Sequence, residues 1–252
     1  MTNQVAIVGA TGRMGRLFVD VISGLPDFEV SAELDSSSEL ADMLGADIVV
    51  DVTSPAVSPD IVSFAITNGM KVLVGTSGWS ADRLDALNKQ VHQTPGAAVM
   101  VVPNFSLGSV VGTFLATIAA GFFESIEIVE THHVGKADSP SGTAIRTAEK
   151  IAETRRESGG VIAPHANQSA RGQLVDGVPV HSLRLHGVHA HQEVIFGGQS
   201  ETLTITHDTH SHAAYRDGIT HALKYLVTHQ GLIVGLDKIL GLEVDVDDTH
   251  RE

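Results

Sequence analysis

Short apolar runs, separated by stretches with apolar residues three and four positions apart, fill the first hundred positions of the chain. "QVAIVGATGRMGRLFVDVI" sets the pattern: Val5 to Val8 form a continuous apolar run, and Met14, Leu17, Phe18 and Val21 follow at helical spacing. Gly9, Gly12 and Gly15 make the turn between them. "FEVSAELDSSS" alternates with period two through Val30, Ala32 and Leu34, which predicts a strand with Asp35 at its tip. "ADIVVDVT" (46–53), "KVLVGTSG" (71–78) and "AAVMVVPNF" (97–105) continue the series, with helix-like stretches such as "PDIVSFAITNG" between them. Near-continuous Val and Ile runs between helices predict a parallel sheet covered on both faces.

The pattern changes after Asn104. A long apolar helix over about 107–123, read as buried, leads to the strand "SIEIVETHHV" and then to an amphipathic helix. Ser141 and Thr143 are its natural caps, Ile145, Ala148, Ile151 and Ala152 its apolar stripe, and Gly159-Gly160 its end. "GGVIAPHANQSARGQLVDGVPV" reads as a long loop, mobile or used in assembly. "VHSLRLHGVHAHQEVIFGG" and "ETLTITHDT" alternate as antiparallel strands with one wetter face. "AAYRDGITHALKYLVTH" is helical, "GLIVGLDKILGL" is a closing apolar segment that can return to the first domain, and "EVDVDDTHRE" reads as a solvated, frayed terminus. The fold class is therefore α/β: a Rossmann-type doubly wound parallel sheet over 1–105 and 214–252, plus a smaller α+β domain over 106–213 with a mostly antiparallel sheet.

Composition narrows the function classes. The 252 residues suit two modest domains, and the apolar stretch Val110 to Phe123 is too short to cross a bilayer. The N-terminal "MTNQVAIVGATG" lacks an export signal, so a cytoplasmic location is expected. A formal charge of −14 argues against nucleic acid or an anionic membrane as partner, so any anionic ligand must be held locally. With no cysteine, disulfides, thiolate metal sites and a Cys nucleophile are excluded, and with them aldehyde dehydrogenases that work through a thiohemiacetal.

The glycine turn, residues Gly9, Ala10, Thr11, Gly12, Arg13 and Met14, is a G-x-x-G-x-x-G variant of the dinucleotide fingerprint. Lacking Cβ atoms, its backbone can approach a pyrophosphate at the helix start; the alternative is a tight turn with no ligand. Glu33 and Asp35 stand where a ribose-binding acid is expected. An acid at Asp35 favours NADH, while Arg13 could neutralise the extra phosphate of NADPH, so both cofactors are candidates. Ligands of such sheets sit beyond the strands' carboxyl ends, which adds Gly75, Thr76, Ser77, Val102, Pro103, Asn104 and Phe105.

"ETHHVGKADSPSGTA" (130–144) carries the densest chemistry. A helix start at Ser141, Gly142 and Thr143 offers N–H donors and hydroxyls to a carboxylate, with the fixed charge of Lys136 and the imidazoles of His132 and His133 just upstream. A dicarboxylate receiving hydride from a nicotinamide would need these functions. The alternative is a polar histidine pair at a strand end with Lys136 a surface charge.

These residues carry a resemblance. "GATGRMG", "GTSG", "PNFSLG", "ETHHVGKADSPSGTA", "HGVHAHQEVIFGG" and "ETLTITHD" occur in the order found in the 4-hydroxy-tetrahydrodipicolinate reductase (dihydrodipicolinate reductase) family. The family pattern HHxxKxDAPSGTA is met except at Ser139, usually Ala, and Ser77 stands for the usual Thr. His212 stands where the family commonly has Arg, and Ser36 where some relatives carry Arg, which weakens an NADPH preference. The resemblance implies an NAD(P)H-dependent reductase of lysine and diaminopimelate biosynthesis, usually a homotetramer, whose smaller domain binds substrate and supplies the oligomer interface. It implies that the 4-hydroxyl of the cyclic imine is eliminated and hydride added at the same carbon. His132 would then be the acid/base, Lys136 the proton donor or electrostatic partner, and His133, Ser141, Gly142 and Thr143 the holders of the carboxylates.

Two rival classes use the same residues differently. His189, His191 and Glu193 alternate along one strand, with His207, His210 and His212 further on, a spacing that can hold zinc in a hydrolase. A zinc centre would leave the glycine turn without purpose, and the reading adopted has no metal. A non-catalytic redox sensor would bind nicotinamide without turnover.

Overall fold

The computed structural model describes residues 2–242; the acidic segment 243–252, expected to be a solvated terminus, lies outside the described residues. The chain divides into two compact units, one of residues up to Ser106 together with His212–Leu240, the other Leu107–Ser211.

In the first unit the elements run β1 (Asn3–Val8), α1 (Arg13–Ser23), β2 (Phe28–Leu34), β3 (Ile48–Asp51), α2 (Ser58–Thr67), β4 (Lys71–Val74), α3 (Ala81–Gln93) and β5 (Ala98–Val101). The second unit continues with α4 (Leu107–Ala120), β6 (Ser125–His132), α5 (Gly142–Thr154), β7 (Gln173–Val175), β8 (Val178–Arg184), β9 (Ala190–Gly197) and β10 (Thr202–Thr209). The chain then adds α6 (Arg216–Thr228), β11 (Gly231–Val234) and α7 (Leu236–Ile239) to the first.

The first sheet is six-stranded, in the order β11-β5-β4-β3-β1-β2, with every pair parallel. It is the Rossmann-type sheet that the Val-rich runs predict. The closing apolar segment supplies β11, in register with β5 from Gly231 opposite Ala98 to Val234 opposite Val101. Strand order reverses between β1 and β3, so the crevice between their carboxyl ends is the expected ligand position. The backbone there is pressed close: a Cβ on Gly9, where φ is +91°, would lie 2.5 Å from the Val52 carbonyl oxygen, and one on Gly15 2.2 Å from that of Gly9. Phe18 and Ile22 bury the inner face of α1.

The second sheet runs β10-β9-β6-β8-β7, antiparallel throughout except for the parallel pair β6–β8. Helices α4 and α5 cover one face, around Ile126, Ile128, Val180, Val194 and Phe196. Three expectations need correction here. Helix α4 stops at Ala120 and is only half buried: its small residues Ser109, Ala116 and Ala119 face inward, while Val111 and Leu115 stay 39% and 46% exposed. The presumed long loop closes as the β7–β8 hairpin, because Asp176 and Gly177 both take the positive φ (47° and 88°) of a two-residue turn. Helix α5 ends at Thr154, before the two glycines, and its buried stripe is Ala144, Thr147, Ala148 and Ile151, shifted from the one expected. Among the described residues no helix is long and apolar enough to cross a membrane.

Gly15→Ala is expected to destabilise the chain by about 1–3 kcal/mol, because its methyl would meet backbone that cannot move aside. Gly112→Ala, whose methyl would meet the His207 Cβ at an ordinary 3.9 Å, should be neutral or stabilising. Urea unfolding of the two variants checks the contrast.

Candidate active site

Two groups of residues concentrate chemistry, one in each unit. In the first unit, Gly12 caps α1 without a side-chain hydrogen bond, and Thr11, Gly12 and Arg13 are exposed. The first-turn N–H groups of α1, beside backbone that tolerates no Cβ, form the donor set and the close approach that a pyrophosphate requires. Ala10 is buried beneath the turn and Met14 half-buried.

Asp35 stands just past β2, where Oδ1 accepts from the Ser37 N–H (2.9 Å) and hydroxyl (2.7 Å). Those Ser37 bonds hold its carboxyl below the ordinary range, so it is ionised at neutral pH. Glu33 is exposed on the strand.

At the other strand ends the candidates divide. Ser77 and Pro103 are exposed, whereas Val102, Phe105 and Thr76 are buried and can offer a ligand little beyond main chain. Phe105 packs edge-on against Phe18, and its ring sits 3.0 Å from where a Gly75 Cβ would be. The Thr76 hydroxyl accepts the Thr53 N–H at 2.8 Å, tying the end of β4 to that of β3. Asn104 turns its side-chain oxygen back onto the Ser106 N–H (2.9 Å). His212 lies edge-on to Tyr215 at 5.8 Å. Burial raises the pKa of that phenol, against the field of Arg13.

Sequence reasoning missed Asp51, which is fully buried at the end of β3. It accepts from the Thr53 hydroxyl (2.5 Å) and from Ser58, whose oxygen in turn takes the Trp79 indole N–H at 3.1 Å. The only signal was an acid ending an otherwise apolar strand.

In the second unit the site grows from Glu130 and His132, which share one side of β6 because side chains alternate along a strand. Glu130 has no solvent exposure. Its carboxylate receives both Nη atoms of Arg184 (3.0 and 2.9 Å), lies 2.5 Å from His132 Nδ1, and accepts the Ser141 N–H at 3.2 Å. Burial opposes its ionisation, but Arg184 foremost, with Ser182 and His132, outweighs burial and its pKa falls below the ordinary 4.5.

An ionised acid can only accept, so the contact at Nδ1 favours the His132 tautomer protonated there. Burial holds its pKa below the ordinary 6.5, against the pull of Glu130 and with Lys136 and Arg184 adding to the depression. Lys136 pairs with Asp138 at 2.7 Å, and Arg184 donates to the Asp138 carbonyl, also at 2.7 Å. Ser141 caps α5 by accepting the Ala144 N–H at 3.2 Å. Gly142 is exposed with nothing near its Cβ position, and Thr143 follows it in the first turn. His133 lies 6.5 Å, ring to ring, from His189.

The same stretch carries His132, Lys136, Ser141, Gly142 and Thr143, the candidates of the sequence reading, and the structure places Glu130, Asp138 and Arg184, which that reading did not single out, in contact with them or with one another. His191 pairs with Asp208 (2.8 Å) on one face of the sheet, whereas His207, opposite Gln192, lies against Gly108 on the other. Among the described residues no group of three His, Cys, Asp or Glu is placed to hold a metal ion.

Comparison with known proteins accords with this layout. The family models "Dihydrodipicolinate reductase, N-terminus" and "Dihydrodipicolinate reductase, C-terminus" match residues 3–105 and 108–240. A 4-hydroxy-tetrahydrodipicolinate reductase of Clavibacter michiganensis subsp. michiganensis is 53% identical over 243 residues, 96% of this chain and 88% of that protein. One from Streptomyces coelicolor is 43% identical over 95% of this chain and 98% of its own length. The solved dipicolinate-bound dihydrodipicolinate reductase of Paenisporosarcina sp. TG-14 superposes with a TM-score of 0.80 at 30% identity, covering 95% of this chain and all of that one.

The depressed pKa of His132 has a measurable consequence. A group that binds its proton more readily when unfolded stabilises the fold above its unfolded pKa, and that stability is lost as pH falls through the folded value. Acidification below about pH 6.5 should therefore lower the urea midpoint, with a further loss from Glu130 below about pH 4.5. The decline over the upper range should be shallower in His132→Asn.

Proposed function

The chain belongs to the dihydrodipicolinate reductase family, and from that premise we propose that it reduces 4-hydroxy-tetrahydrodipicolinate to tetrahydrodipicolinate with NADH or NADPH, a step of lysine and diaminopimelate biosynthesis. The observation that carries the assignment is the open helix mouth at Gly142 and Thr143 beside His132 and Lys136. That is a carboxylate site with proton-handling groups at its edge. The glycine turn, Asp35 and the strand ends at Gly75–Ser77 and Val102–Phe105 hold the nicotinamide dinucleotide, which when bound supplies the hydride.

The residues of the second unit do the rest. The N–H groups at the start of α5 and the Thr143 hydroxyl take one carboxylate, with His133 assisting. Lys136 brings positive charge and a proton to the ring nitrogen as hydride adds at the carbon losing its hydroxyl, so that substrate, reduced cofactor and one proton give product, oxidised cofactor and water. His132, neutral near pH 7, accepts a hydrogen bond through Nε2 before it can act as an acid.

The same reading extends to a cytoplasmic homotetramer assembled through the second unit. It is supported by the sheet face opposite α4 and α5, where Val129, Leu183 and Ile195 are not fully buried.

The test is an assay in which the upstream synthase generates substrate in the presence of each nicotinamide. Lys136→Ala and His132→Ala should each lose about two to four decades of turnover, the range for a positioned proton-transfer group. Near-wild-type rates in both would remove them from the mechanism. Cofactor binding by the wild type without any turnover would favour the redox sensor.

A further inference from the structure

Resting on that reading, we propose that Glu130 and Arg184 are positioning residues of the reductase site: together they fix His132 by its Nδ1 and hold the 133–141 loop that presents Lys136. Three elements converge on the Glu130 carboxylate. They are the end of β6 through His132, the end of β8 through Arg184 and the start of α5 through the Ser141 N–H.

The connection continues beyond the ion pair. Arg184 holds the Asp138 carbonyl, and the Asp138 carboxylate holds the Lys136 ammonium. Lys136 and His132, the two groups assigned to proton handling, are thus the two ends of one chain of contacts: Lys136, Asp138, Arg184, Glu130, His132. Its sealed link is Glu130, which has no exposed surface, while the Asp138 side chain is 61% exposed. A brace needed only for stability would not have to end on both reactive groups.

Glu130 also selects the state of the imidazole. A carboxylate 2.5 Å from Nδ1 can only accept, so the proton sits on Nδ1 and Nε2 faces substrate as the lone pair. The charged groups acting on this ring are Glu130, Lys136 and Arg184. A neutral amide in place of Glu130 would leave the two cations unopposed.

The deciding variants are Glu130→Gln, which keeps the shape but not the charge, and Arg184→Lys, which keeps the charge but not the two-pronged grip. For Glu130→Gln, kcat should fall about a hundredfold, the loss typical of misplacing a reacting group by an ångström. KM for NADH should stay within about twofold, because the nucleotide residues belong to the other unit. The acid limb of the pH profile should move to lower pH, which a merely structural role would not produce. Arg184→Lys should lower kcat without moving that limb as far.

A folded Glu130→Gln with wild-type kcat and an unmoved limb overturns the proposal. Should neither variant fold, nitrogen NMR of His132 in the wild-type protein decides. Protonation at Nδ1 is expected; protonation at Nε2 with Nδ1 bare overturns it. Because the NMR measurement needs no turnover, a wild-type protein that fails to reduce the diacid would defeat the reductase reading while leaving the His132 geometry testable by itself.

Discussion

An ionised carboxylate with no access to water is the constraint on which the second unit is built. Removing such a charge from solvent costs roughly several kcal/mol, and only close, well-directed partners offset it. Glu130 obtains them from an arginine fork, an imidazole and a main-chain N–H. Each partner lies on a different element, so satisfying one buried charge fixes where β8 ends, where α5 begins and how His132 is oriented. Fold and site are here a single requirement: a chain that left Glu130 unpaired would lose the packing and the chemistry together.

The first unit meets its requirement in the opposite way, by leaving atoms out. Nothing charged shapes the turn after β1. What shapes it is that Gly9 and Gly15 let the strand, the loop after β3 and helix α1 approach more closely than any Cβ allows. The contacts that hold the neighbouring loops run through Asp51, with Ser58 and Trp79 behind it and Thr53 beside it. A dinucleotide can be gripped through main-chain groups because its phosphates need donors of either kind. On the proposed reading, a small diacid that must also be protonated needs side chains of defined charge, which fits a division of labour between the units.

What could be read in the sequence follows from how local each interaction is. The glycine turn, the Val-rich strands and the Ser141 cap are set by neighbours a few positions apart, and the parallel sheet was legible from them; the closing segment was read only as one that can return to the first domain, not as the sheet's edge strand. Helix α4 was misjudged because apolar content does not say which face is turned inward: Val111 and Leu115 are the exposed ones, and the small residues pack. The hairpin at Asp176-Gly177 was passed over because its first strand is only three residues long and too short to show alternation. Glu130 was in plain view beside the histidines. Its partner Arg184 was not, because the two meet across strands 54 residues apart and no local spacing announces that pairing.

The register of the second sheet explains why the site lies where it does. On the helix-covered face, successive cross-strand rows read Ile126 beside Phe196, then Val180, Ile128 and Val194 in line with Ile205, then Ser182, Glu130 and Gln192 in line with His207. Two apolar rows give way to a row that is polar in every strand. Helix α5 matches the change, because Thr147 takes the Gln192 amide at 3.0 Å and shares a hydrogen bond with Thr113 of α4 at 2.9 Å. A polar row at the edge of a core is tolerated where its members find partners: Gln192 does so through Thr147, and Glu130 through Arg184, His132 and the Ser141 N–H. The apolar rows supply the stability that lets the next row be polar. The carboxyl end of β6 is therefore the place on this face where the core can carry charge, and His132 is the last residue of that strand.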